Sequence, residues 1–144
     1  MTAVLARRGL EARSAELTER LVGWWETGVR PDAMFADDVF VDLSLPQWRV
    51  QAQGADAAFR LREDNHPFPG SVTLESVDRS SRGFLLQIEE RWDADGQRWY
   101  CRELVHCAVA EGRITELVVY CTGDWDEAVQ RQHAEHVTLL RTSP

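Results

Sequence analysis

The chain has 144 residues, 44% of them hydrophobic and 28% charged, the make-up of one ordinary globular domain able to bury a core. A net charge of −8 argues against a nucleic-acid-binding surface, and no apolar run approaches membrane-spanning length. Three Cys, at 101, 107 and 121, form no CxxC pair and read as core thiols of a reducing cytoplasm; no apolar run follows Arg7-Arg8 to make a signal peptide.

In chain order, residues 1–12 read as a frayed or weakly helical N-terminal extension, and 13–140 as a single domain. Ser14 is placed to cap a helix in which Leu17, Leu21, Trp24 and Trp25 recur at helical spacing, ending at Gly28. Residues 31–35 read as one short helical turn. Val39 to Leu45 alternates as a strand containing Asp42, and Trp48 follows in an irregular or extended segment that ends at Gly54. Ala55 to Asn65 is expected to be a helix with Ala58, Phe59 and Leu61 inward. His66-Pro67-Phe68-Pro69-Gly70 breaks the chain, and Ser71 to Val77 returns as a strand. A last helix is expected from Trp125 to about Leu139, with Asp124 as its N-cap. His133 and His136 lie one turn apart on a polar face with no evident third ligand, so no metal site is expected.

The stretch Gly83 to Trp125 organises the chain. Asp95-Gly96 is a hairpin turn, because the mirror-image turn needs positive φ at both positions. Three antiparallel strands follow, 83–93, 98–109 and 113–122. A two-residue loop pairs Trp92 with Trp99, Glu90 with Cys101 and Ile88 with Glu103. One face then carries Phe84, Leu86, Ile88, Glu90 and Trp92 with Cys101, Glu103, Val105 and Cys107. The other carries Glu89, Arg91 and Asp93 with Tyr100, Arg102 and His106. The register of the third strand stays open: Val118 and Tyr120 face the apolar side in one register, Leu117, Val119 and Cys121 in the other.

Glu90 and Glu103 stand out as carboxylates on an apolar face, diagonal neighbours within reach of one another. Burial is costly for a carboxylate, and a second one nearby raises one pKa, which suits acid–base chemistry. Asp42 is a third candidate, or points to water from an edge strand. Trp48, Trp92, Trp99 and Tyr120 are expected to shape the substrate cavity.

The phrases Met34-Phe35-Ala36-Asp37-Asp38-Val39-Phe40-Val41-Asp42, Gly54-Ala55-Asp56-Ala57-Ala58-Phe59 and Glu111-Gly112-Arg113-Ile114-Thr115-Glu116-Leu117 with Tyr120 resemble the SnoaL-like families of the nuclear transport factor 2-like superfamily, over roughly residues 13 to 130. The resemblance implies an α+β fold, a curved, mainly antiparallel sheet wrapped by helices into a cone with a ligand pocket. It also implies a homodimer, and activities such as polyketide cyclisation, ketosteroid isomerisation or epoxide opening without a cofactor. Steroid isomerases of the superfamily carry a tyrosine on the first helix, where this chain has Trp24 and Trp25; Asp42 and Glu103 lie near the positions of their two acids. Limonene-epoxide-hydrolase-like enzymes use an Arg-x-Asp pair, which Arg91-Trp92-Asp93 matches; their further Asp would fall at Thr122, with Asp124 nearby. A bulge in the first meander strand would bring Arg91 and Asp93 inward and put Glu90 outside. His106 is the candidate for the acid–base residue of a cyclase. The resulting expectation is a small cofactor-independent enzyme, with Glu90, Glu103 and Asp42 catalytic, or alternatively Arg91, Asp93 and His106. Its substrate would be a hydrophobic oxygenated molecule, such as an intermediate of natural-product biosynthesis. The competing expectation is a non-catalytic binding or dimerisation module whose pocket carboxylates are paired with arginines such as Arg62 or Arg91.

Overall fold

The computed structural model describes residues 3–142. Its elements are α1 (Ala3–Thr27), β1 (Phe35–Ser44), β2 (Arg49–Gln53), α2 (Ala55–Asn65), β3 (Gly70–Arg79), β4 (Gly83–Ala94), β5 (Gln97–Ala110), β6 (Arg113–Cys121) and α3 (Glu127–His136). The six strands form one sheet in the order β2-β1-β6-β5-β4-β3, antiparallel except for β1 against β6. The architecture is α+β, with α1 and α2 packed on one face of a curved sheet.

The hairpin physics of the meander holds throughout. Asp95 and Gly96 take φ of 52° and 70°, and β4 pairs with β5 without interruption, Trp92 opposite Trp99, Glu90 opposite Cys101 and Ile88 opposite Glu103. Gly83 is required at the start of β4, where a Cβ would lie 1.9 Å from the Cys107 carbonyl oxygen.

The open register of β6 is decided by a bulge. Glu111 and Gly112 form a two-residue turn with φ of 54° and 74°, so Ala110 faces Arg113 and Val109 faces Ile114. Pairing then jumps, with Ala108 opposite Glu116, and Thr115 is the extra residue, its hydroxyl donating to the Ala108 carbonyl at 3.3 Å. One extra residue exchanges the faces of everything beyond it. Cys121 rather than Tyr120 therefore stands opposite Glu103, with Leu117 and Val119 also inward.

Several expectations are corrected. Ser14 is not an N-cap, because α1 starts at Ala3 and runs through it; Glu11 on this early part reaches Arg79 of β3 at 3.1 Å. Met1 and Thr2, within the expected extension, lie outside the described residues. In place of the helical turn expected over 31–35, Asp32 and Ala33 form a bend, Ala33 at φ 56°, and Phe35 begins β1. The cap of α3 is Asp126, whose side chain accepts from the Val129 amide, not Asp124, and the helix stops at His136. Leu17, Leu21, Trp24 and Trp25 of α1 do form the core with Phe35, Phe59, Phe84 and Ile114. Among the described residues, no helix is long and apolar enough to cross a membrane.

Candidate functional site

A cavity of about 140 Å³ lies between the sheet and the C-terminal ends of α1 and α2. Its apolar wall comes from Trp24 and Trp25 of α1, Leu61 of α2, and the inward residues Val41, Leu117 and Val119. Its polar groups are Arg62, His66, Glu90, Glu103, Cys121 and Asp124. Helical periodicity puts Ala58, Arg62 and His66 on one stripe, which aims Arg62 and His66 at the sheet.

Glu90 is buried, and Arg62 grips it with two nitrogens at 2.6 and 3.3 Å while also donating to the Trp25 carbonyl at 3.2 Å. The guanidinium carbon lies 5.9 Å from the rings of both Trp24 and Trp25. Burial opposes charge on Glu90 most strongly, but a hydrogen bond from Glu103 and the Arg62 charge prevail and hold its carboxyl well below the usual range. Glu103 shifts the opposite way: burial first, then the Glu90 charge beside it, raise its carboxyl well above the usual range. The two shifts are opposite in sign, so Glu103 is the carboxyl of the pair that takes up a proton first as pH falls. Burial, with the Glu90 charge, also raises Asp124. Burial and Arg62 push the His66 imidazole down to about 4, so it is neutral in the cavity; its ring lies 4.3 Å from that of Trp92.

The other expected site residues lie elsewhere. Asp42 sits on the opposite face of β1, bound by Arg49 at 2.7 and 3.0 Å; alternation puts it outside because Val41 and Leu43 face the cavity. Arg91 and Asp93 are on the outer face because β4 has no bulge against β5. His106 is on that face too, with Ser80 Oγ 2.8 Å from its Nε2. Trp48 is 69% exposed on the β1–β2 connection, and Tyr120, turned out by the Thr115 bulge, is 61% exposed. Trp92 and Trp99 stack with centroids 6.4 Å apart behind His66 and do not line the cavity. Arg91, Asp93 and His106, the alternative set, and Trp48, Trp92, Trp99 and Tyr120, the expected substrate wall, thus all lie off the lining of this cavity. The indoles that face the cavity are Trp24 and Trp25.

A second concavity of about 1080 Å³ lies on the outer face. Four of its charged groups are tied in pairs, Arg102 to Glu75 at 2.8 Å and Arg91 to Glu89 at 3.5 Å, and Tyr100 Oη donates to Glu89 at 3.1 Å. The smaller cavity holds the adjacent Glu90 and Glu103 carboxyls.

No protein-family model and no curated protein matches the sequence. Solved structures do match the fold. An NTF2-like protein from Anabaena variabilis aligns with TM-score 0.68 at 14% identity, over 80% of this chain and 90% of that one. An LEH-like epoxide hydrolase from M. tuberculosis aligns with TM-score 0.60 at 15% identity, over 76% and 83%. A protein from Jannaschia sp. CCS1, provisionally named a SnoaL-like polyketide cyclase, aligns with TM-score 0.63 at 14% identity, over 87% and 92%. The chain has the nuclear transport factor 2-like fold that its sequence phrases resemble. At these identities the likeness defines the fold and leaves the chemistry to the site.

Proposed function

We propose that the chain is a small enzyme performing acid–base chemistry on a hydrophobic oxygenated molecule: cyclisation, isomerisation, dehydration or epoxide opening. The observation that carries this reading is the adjacent Glu90–Glu103 pair beneath an apolar wall, its shifts favouring the proton on Glu103. A substrate oxygen entering between Trp24 and Trp25 would receive that proton. Arg62 keeps Glu90 ionised, and Glu90 keeps Glu103 protonated at neutral pH, so the two act as one titrating unit. A cavity of about 140 Å³ is below the roughly 300 Å³ usual for ligand sites. It suits the reacting end of a substrate, on the order of one aromatic ring. The named epoxide hydrolase and cyclase of the same fold support this class of reaction. A role in natural-product biosynthesis and a cytoplasmic setting, which the free thiols fit, belong to the same reading. So does a homodimer built on the outer sheet face, where Leu104 and Tyr120 oppose one another and are exposed.

The competing reading, a non-catalytic binding module, draws on one observation: Glu90 is paired with Arg62. The pH dependence of turnover separates the two. Small epoxides and β-hydroxy carbonyl compounds would be screened for binding, and kcat/KM measured against pH on those that bind. Because the acid form of Glu103 is the active one, the rate should fall with rising pH through one ionisation far above the ordinary carboxylate value of 4.5. Binding without turnover at any pH would leave the module as the correct reading.

A further inference from the structure

Cys101 and Glu103 project from the same face of β5, and the Thr115 bulge brings Cys121 of β6 against them. One ligand atom from each of the three lies within 4.8 Å of the other two. The Cys101 Sγ to Glu103 Oε1 distance is 3.4 Å. In a tetrahedral zinc site, bonds of about 2.3 Å to sulfur and 2.0 Å to oxygen give edges of about 3.5 Å for S···O and 3.8 Å for S···S. One edge is already at metal-bound length, and the others, all within 4.8 Å, need close by no more than about 1.3 Å. The Gly123 amide donates to Cys121 Sγ at 3.3 Å, the kind of outer hydrogen bond that orients and stabilises a metal-bound thiolate. Charge points the same way. Glu90, Glu103 and Asp124 all face the cavity, whereas Arg62 is the one guanidinium among its described lining residues and is bound to Glu90.

We propose that Cys101, Glu103 and Cys121 form a binding site for a thiophilic divalent cation, with Zn²⁺ as its representative and the fourth coordination position open to the cavity. Two sulfurs and one carboxylate select a soft to borderline ion over Mg²⁺ or Ca²⁺. Binding displaces the two thiol protons and the Glu103 proton, so affinity rises with pH. An occupied site and a protonated Glu103 exclude one another. A bound cation would therefore block the acid–base reaction, and the metal site is tested on its own, without turnover.

The test titrates the purified full chain with Co²⁺ as a spectroscopic probe. One equivalent should develop thiolate-to-cobalt charge-transfer absorption and tetrahedral ligand-field bands, which Zn²⁺ then displaces. Cys121→Ser should cut the thiolate band by at least half, since only Cys101 remains as a sulfur ligand. Glu103→Gln, close to isosteric and so expected to fold, should weaken Co²⁺ binding by more than about 100-fold, since loss of a ligand exceeds the usual outer-shell effect. Absence of the band in the wild type would overturn the site, as would a band unchanged in both variants. Neither outcome touches the acid–base reading, which stands or falls on the pH dependence of metal-free turnover.

Discussion

Glu103→Gln is expected to lower kcat by about 100- to 10,000-fold, the range for removing a general acid–base group, while ligand affinity changes only a few-fold. Gln keeps the shape of a protonated Glu and still donates a hydrogen bond to Glu90, so the cavity wall and the Arg62 pair survive. What is lost is a proton that can leave. Glu90→Gln has a different signature. Removing the charge that raises Glu103 should bring the high-pH limb of the rate profile to lower pH. Steady-state kinetics across pH on the two variants would read both effects. A Glu103→Gln enzyme with wild-type kcat would remove Glu103 from the chemistry and favour the binding-module reading.

The second large effect is on stability. Arg62→Ala is expected to destabilise the fold by about 3–5 kcal/mol, because it leaves the buried Glu90 charge without its partner. The side chains are only 17% and 5% exposed, and Arg62 also ties α2 to the Trp25 carbonyl at the end of α1. Arg49→Ala offers the contrast. Its pair with Asp42 has equally short contacts, yet Arg49 is 67% exposed, so solvent screens the pair and its loss should shift the midpoint far less. Urea unfolding would measure both, with the midpoint shifting and the m-value held. The double variant Arg62→Met, Glu90→Leu should recover most of the loss, since removing both charges removes the penalty. A double variant as unstable as Arg62→Ala alone would mean that Arg62 acts through packing against Trp24 and Trp25.

The distribution of what the sequence disclosed has a physical pattern. Local rules placed the meander: Asp95-Gly96 fixed the hairpin, and period-two alternation put Glu90, Cys101 and Glu103 on one face. Helical periodicity likewise found Leu17, Leu21, Trp24 and Trp25. The start of α1 was missed because its first turns bury little, with Val4 and Leu10 exposed, so no apolar stripe marks them. The bulge in β6 was missed although it left a trace. Ile114 and Leu117 are both apolar and three apart, which a regular strand cannot place on one face. Reading that spacing would have turned Tyr120 out and Cys121 in. Arg62 was named only as a charge partner, and His66 only as part of a chain break. Their place in the cavity depends on how α2 docks on the sheet, which pattern alone does not give. The Cys101, Glu103 and Cys121 cluster likewise joins two strands through the bulge, so no local ligand spacing announces it.

The most direct test of the central claim is the protonation state of Glu103 at neutral pH. Infrared difference spectroscopy of the metal-free wild type against Glu103→Gln would read it from the carboxyl C=O stretch. The expected result is a protonated-acid band at pH 7 that Glu103→Gln removes. Carboxylate bands alone in the wild type would mean that the two glutamates carry separate charges, and the shared proton on which the account rests would not exist.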